Sequence, residues 1–109
     1  MEPQRGEVWW VSLDPTQGSE IKKTRPCIIL TANTLNRMRN TVVVIPLSTA
    51  AKPHPPITVQ ITCDGKNVVA VIDQIRAMAK HRLRSRIEVA TSDTLEAVIG
   101  ALAQILEMP

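Results

Sequence analysis

Thr41-Val42-Val43-Val44-Ile45-Pro46-Leu47, followed directly by Ser48-Thr49, is the strongest β signal in the chain. β-branched side chains fill its first five positions and favour a pleated strand over a helix. Pro46 brings no backbone donor, so the strand is expected to leave the sheet interior there. Beyond it, residues 50–56 form a long loop holding Pro53, His54, Pro55 and Pro56. Ile57-Thr58-Val59-Gln60-Ile61-Thr62 then alternates cleanly, the pattern of a strand with one wet face. Residues 64–67 read as a turn, and residues 68–75 as a returning paired strand. On the other side, Cys27-Ile28-Ile29-Leu30-Thr31 is a continuous apolar run, expected to be a strand buried on both faces. Residues 33–37 read as one helical turn with Asn33 placed to cap it. Glu7-Val8-Trp9-Trp10-Val11-Ser12-Leu13 reads as a strand stopped by Asp14-Pro15, and residues 86–89 as a last short one. Leu95, Val98, Ile99, Leu102, Ile105 and Leu106 make one stripe of a C-terminal helix, with Asp93 and Glu96 expected to cap it. The expected fold is mainly β and antiparallel, with that helix packed on it.

The chain has 109 residues, 44% of them apolar, and thirteen Lys or Arg against ten Asp or Glu give a net charge of +3. That length fits one domain over residues 1–109, since single cores organise roughly 100–150 residues. Abundant aliphatic residues and low net charge argue against disorder. Trp9 and Trp10 are the only aromatic residues. As strand neighbours they point to opposite faces, so one is expected to fill the core and the other to cover a sheet surface or dimer contact. Base stacking on single-stranded nucleic acid needs several exposed rings. Any RNA or DNA recognition is therefore expected to rest on charge, backbone groups and hydrogen bonds.

No apolar run approaches the roughly 18 residues of a membrane span, and the polar opening Met1-Glu2-Pro3-Gln4-Arg5 is unlike a signal peptide. Cys27 and Cys63 lack a metal-ligand spacing, and His54 and His81 are the only histidines. These features predict a cytoplasmic protein with no metal, cofactor or disulfide.

Arg5-Gly6-Glu7-Val8-Trp9-Trp10-Val11-Ser12-Leu13-Asp14-Pro15, then Gly18-Ser19-Glu20, then Arg25-Pro26, is similar to the opening of MazF/PemK-type toxins. The resemblance continues through Val44-Ile45-Pro46-Leu47-Ser48-Thr49, Asp73-Gln74-Ile75-Arg76 and Lys80-His81-Arg82-Leu83, covering about residues 5–106. It implies an SH3-like small β-barrel with a C-terminal amphipathic helix, acting as a homodimer. It also implies a sequence-specific, metal-independent endoribonuclease that cleaves single-stranded RNA, usually mRNA. A cognate MazE-like antitoxin would neutralise it through an extended segment laid across the dimer.

Cleavage of this kind needs a group to accept the 2′-OH proton, one to stabilise the charge on phosphorus and one to protonate the leaving 5′-oxygen. Arg25 stands at the mouth of a buried strand, with Pro26 fixing the backbone, and its planar fork suits a phosphate. The resemblance gives it the family's catalytic position. Ser48 takes the place where many MazF-like members carry Thr, with Thr49 as the alternate hydroxyl. Glu20 matches the carboxylate of the family's "G-(S/H)-E" motif and could accept a proton or hold Arg25. Ser19 stands where PemK-like members can have His. Asp73 matches the Asp proposed as general base in PemK-like proteins, but Val71 replaces the Arg that assists it, so the MazF-like arrangement of Arg25 with Ser48 is favoured. The identity of the base stays open between Ser48-centred and Asp73-centred schemes.

Residues 76–86 carry five basic side chains and no acid, a candidate surface for the RNA backbone or simply a solvated face. Lys22 and Lys23 extend that field, and Arg82 lies within it. Base selection is expected from loop backbone and from Asn36, Gln74 and Arg76. Two other readings compete: a non-enzymatic gyrase inhibitor like the CcdB toxins, and an SH3-like interaction module without toxicity. CcdB-like proteins lack the early "RP" arginine and the "DQ" strand found here.

Overall fold

The run from Thr41 to Ser48 is the hub of the molecule: it forms strand β3 and pairs with three others. The computed structural model describes residues 2–13, 18 and 23–109. Before β3 come β1 (Glu7–Ser12), β2 (Thr24–Ile29) and the short helix α1 (Asn33–Met38). After it come β4 (Thr58–Cys63), β5 (Lys66–Val71), β6 (Arg76–Ala79), β7 (Leu83–Val89) and helix α2 (Ser92–Ile105), with single 3-10 turns at Ile72–Gln74 and Lys80–Arg82. Every pairing is antiparallel, in the order β4-β5-β3-β2-β1-β7, with β6 joined to β3 off this path.

β3 does not end at Pro46. Thr41 to Val44 pair with β6, and Cys27 to Ile29 of β2 lie against Pro46 to Val44. Beyond Pro46, Leu47 and Ser48 pair with Ala70 and Val69 of β5. The proline thus sits where β3 exchanges β6 for β5, a place at which a missing N–H costs little. The two ends of the strand path approach each other as well: the backbone N–H of Asp64, in the β4–β5 turn, donates to Glu88 Oε2 of β7 at 2.7 Å.

Period-two alternation distributes the apolar residues between two cores. Val8, Ile28, Ile45, Leu47 and Ile61 pack with Val98 and Ala101 of α2. Trp9, Val11, Leu13, Cys27, Ile29, Val42, Val44 and Met78 fill the other. β2 is therefore buried on both faces at Cys27, Ile28 and Ile29, as its unbroken apolar run predicts.

Several local expectations need correction. Residues 68–75 are not one strand: β5 stops at Val71 and the chain turns through Ile72–Gln74. The β4–β5 turn is only Asp64-Gly65, both at positive φ (53° and 74°), the tight hairpin geometry that Asp-Gly favours. β7 starts at Leu83 rather than at residue 86. In α2 the cap is Thr91, whose Oγ1 accepts from the Thr94 N–H at 3.2 Å. Asp93 lies inside the first turn, where its charge suits the helix dipole without capping. Leu106 falls past the last helical residue and is exposed, while Ala101 takes a buried place. Asn33 does not cap α1; its Oδ1 accepts the Arg5 N–H at 2.7 Å, tying the N-terminal segment to this helix.

Candidate active site

β2 and β3 converge on one place. Their pairing ends at Cys27 opposite Pro46, and just beyond it Arg25 of β2 and Ser48 of β3 line one cavity. A cavity of about 180 Å³ opens here, lined by Trp10, Thr24, Arg25, Pro26, Ser48 and Thr49, with Leu47, Cys63 and Val68 as its apolar floor. Arg25 is exposed, and its carbonyl accepts a long bond from Cys27 Sγ at 3.6 Å. Ser48 Oγ accepts the backbone N–H groups of Ala50 and Ala51, both at 3.1 Å. The hydroxyl thus fastens the loop that leaves β3. Its acceptor capacity is taken, and its own O–H remains to donate, which makes it a hydrogen-bond donor rather than a base.

Arg76 lies near this site but is not among the cavity's lining residues. It lies opposite Val44, two residues from Pro46, so by strand alternation it shares a face with Cys27, Arg25 and Ser48. Its Nη2 donates to Gln74 Oε1 at 2.9 Å and its Nε to the Gln74 carbonyl at 3.3 Å, so these two predicted contacts act as one unit. Arg82 Nη1 reaches the Ser12 carbonyl at 3.5 Å, and Ser12 is paired with Thr24 at the start of β2. Lys23 adjoins that start at a positive φ of 70°, its carbonyl accepting the Leu13 N–H at 2.9 Å. Thr49 lines the cavity beside Ser48.

Two other candidates stand apart. Asp73 is exposed on its 3-10 turn and is not among the cavity's lining residues. Asn36 is fully buried, its Nδ2 donating to the Thr31 carbonyl at 2.8 Å, so it cannot select a base from the surface. Glu20 and Lys22 lie outside the described residues. The basic run is not one continuous track either: Lys80 pairs with Glu2, Arg86 with Glu7, and Arg84 Nη1 donates to the His81 carbonyl. Two of its five charges are therefore offset by carboxylates.

Burial pushes the Cys63 thiol up to about 12, helped by a hydrogen bond with Glu88 and the charges of Glu88 and Asp64. Cys63 thus lines the cavity as a neutral group and offers no nucleophile at neutral pH.

The residue that sequence reasoning missed is Trp10. Trp9 is 5% exposed inside the second core, whereas Trp10 is 41% exposed and lies opposite Pro26 at the cavity. Alternation along β1 places the two rings on opposite faces. Only the pairing with β2 shows that one of those faces is the cavity.

A profile of the PemK-like, MazF-like toxins of type II toxin–antitoxin systems matches residues 4–106. The chain belongs to this family. It is 34% identical over 108 residues to the endoribonuclease PemK of Escherichia coli, covering 94% of this chain and 81% of that one. To the endoribonuclease toxin MazF of E. coli K12 it is 31% identical over 77 residues, 71% of this chain and 68% of that one. The crystal structure of MazF from Deinococcus radiodurans superposes with a TM-score of 0.88 at 25% identity, covering 99% of both chains. A mycobacterial endoribonuclease solved with its cognate antitoxin gives 0.81 at 25% identity, covering 98% of this chain and 97% of that one. The barrel with its C-terminal helix is thus the MazF-type toxin fold, as the motifs imply. In this chain the "RP" arginine and the serine ending the "IPLS" strand both line one cavity, while the "DQ" aspartate does not. Among the described residues no helix is long and apolar enough to cross a membrane.

Proposed function

We propose that this MazF-like toxin is a metal-independent endoribonuclease that cuts single-stranded RNA, with mRNA the expected target, at the cavity between Arg25 and Ser48. The observation that carries the reading is that Arg25 and Ser48, whose Oγ accepts two backbone N–H groups and keeps its own O–H to donate, line one cavity in a chain whose relatives include endoribonucleases. The RNA's own 2′-OH attacks the adjacent phosphorus. The 2′-O–P bond forms, the P–O5′ bond breaks, and the products are a 2′,3′-cyclic phosphate and a 5′-OH. Because the nucleophile belongs to the substrate, no metal-activated water is required.

Arg25 donates to the two non-bridging oxygens, where negative charge grows in the transition state. Ser48 donates its O–H to the same phosphate. A carboxylate takes the 2′-OH proton, with Glu20 and Asp73 the candidates, and a protonated group returns one to the 5′-oxygen. The protein acts in the cytoplasm as a homodimer and is neutralised by a MazE-like antitoxin laid across the two copies. Support for that partner is the antitoxin bound to the mycobacterial relative and the MazE–MazF complexes of D. radiodurans.

The test is incubation of purified protein with single-stranded RNA in EDTA, followed by end analysis. Discrete fragments with 5′-OH and cyclic-phosphate ends are expected, and intact RNA sinks the proposal.

A further inference from the structure

The cavity at Arg25 and Ser48 has a neighbour of similar size. A second one, also about 180 Å³, shares Ser48, Thr49 and Val68 with the first and is bounded beyond them by Gln60, Asn67 and Pro53. Its construction follows from strand register. Ser48 lies opposite Val69, and Val69 opposite Gln60, so β3, β5 and β4 present these three residues as one row on one face. Asn67 stands two residues from Val69 on the same face, opposite Thr62. Among the described residues neither the Gln60 nor the Asn67 side chain is held by a protein hydrogen bond.

The two cavities differ in chemistry. The first presents the exposed indole of Trp10 beside Pro26, over an aliphatic floor. An aromatic face stacks on any base, because every base has a π-face. The second presents two primary amides, each with a donor and an acceptor in one plane, which can complement the hydrogen-bonding edge of a base. The row of Ser48, Val69 and Gln60 lies on the face opposite to Leu47, Val68 and Cys63. The second cavity therefore sits round the end of β3 from the first, with Ser48 and Thr49, on the site assigned to the scissile phosphate, shared by both.

We infer that the two cavities are adjacent nucleobase subsites flanking the Ser48–Thr49 corner, Trp10 supplying a sequence-tolerant stacking floor and Gln60 with Asn67 reading the edge of the neighbouring base. The inference rests on the RNA-cleaving reading and assigns affinity and discrimination to different residues. On this inference the one exposed ring, Trp10, adds a stacking contact to the charge and hydrogen bonds expected of recognition.

The test has two arms. In the first, a randomised single-stranded RNA pool is cut by the wild-type protein, by Trp10→Leu and by Gln60→Ala/Asn67→Ala, and the new ends are sequenced. Trp10→Leu is expected to slow cutting at all sites alike, by between about 5- and 150-fold, with the base preferences intact. Gln60→Ala/Asn67→Ala is expected to broaden the preference at one position beside the cut. A wild-type rate for Trp10→Leu, or an unaltered end profile for the amide variant, overturns the assignment while leaving the nuclease standing. Circular dichroism and melting curves confirm that each variant is folded.

In the second arm, the Trp fluorescence of the wild-type protein and of Trp10→Phe is titrated with a short single-stranded DNA oligonucleotide, which lacks the 2′-OH and cannot be cut by this mechanism. Quenching in the wild type that disappears in Trp10→Phe supports the stacking floor even if the protein cuts no RNA, an outcome that would remove only the nuclease reading. Quenching by an acidic peptide but not by the oligonucleotide makes the cavity a protein-binding groove and overturns the inference.

Discussion

Glu7 and Arg86 meet at 2.9 Å across β1 and β7, although 79 residues separate them in sequence. Glu7 is buried and also accepts from Trp9 Nε1 at 3.0 Å and from the Gln4 N–H at 2.8 Å. One carboxylate therefore fixes the chain entering β1, the core tryptophan and the edge strand β7. Burial by itself would raise its pKa, but the bonds from Trp9, Arg86 and Gln4 together outweigh burial and hold it below the ordinary value. Glu7→Ala strands a buried indole N–H and is expected to cost roughly 1–3 kcal/mol, read as a lower urea midpoint with unchanged slope.

The same carboxylate sets an acid limit. A depressed folded pKa stabilises the protein fully above the ordinary carboxylate value, and that contribution is lost as pH falls from there through the depressed one. Stability measured against pH should decline on the acid side, and Glu7→Gln should flatten part of that decline. A variant with the wild-type acid slope would assign the decline to other carboxylates.

Arg25→Ala should lower RNA cleavage by at least about 10²–10³-fold, the loss typical for one preorganised transition-state donor, while leaving the melting temperature almost unchanged. Ser48→Ala should lose both the donor and the anchor for the Ala50 and Ala51 N–H groups, and Ser48→Thr should restore both. Cleavage assays on the three variants, with Asp73→Ala alongside, decide between the schemes. An inactive Asp73→Ala beside a fully active Ser48→Ala would move the chemistry to the "DQ" turn.

RNA affinity should fall with salt, and the slope should identify the contributing cations. Lys80 is paired with Glu2, whereas Arg76 shares the face of Arg25. Arg76→Ala is expected to reduce the slope of log K against log salt by about 0.7, the value for one single-strand phosphate contact, and Lys80→Ala to leave it nearly unchanged. Equal effects would restore the basic run as a continuous track.

Burial pushes both thiols up to about 12: for Cys27 the Arg76 charge opposes it only partly, and for Cys63 the Glu88 bond and nearby acids reinforce it. Neither should react with iodoacetamide in the native protein at pH 8, and both should react once it is unfolded. Mass spectrometry of the quenched mixtures gives the count. Rapid native labelling of Cys63 would show that the floor of the cavity opens to solvent.

The strands at Thr41–Ser48 and Thr58–Cys63, the doubly buried run at Cys27 to Ile29 and most of the α2 stripe are legible in the amino-acid order, because side-chain periodicity is a local property. Arg25 and Ser48 are legible as candidates too, through a motif and its spacing. What local order cannot carry is which residues face each other. Asn36 reads as an available amide on a short helix, but packing around Thr31 buries it. The five cations of residues 76–86 read as one field, but a turn and a new strand divide them, and Glu2 and Glu7 offset two. Trp9 and Trp10 must lie on opposite faces of β1, yet only the register with Pro26 places Trp10 at the cavity. Sequence alone determined the elements and the chemical groups. The pairing of distant strands decided their company, because a shift of one residue in register turns every side chain to the opposite face.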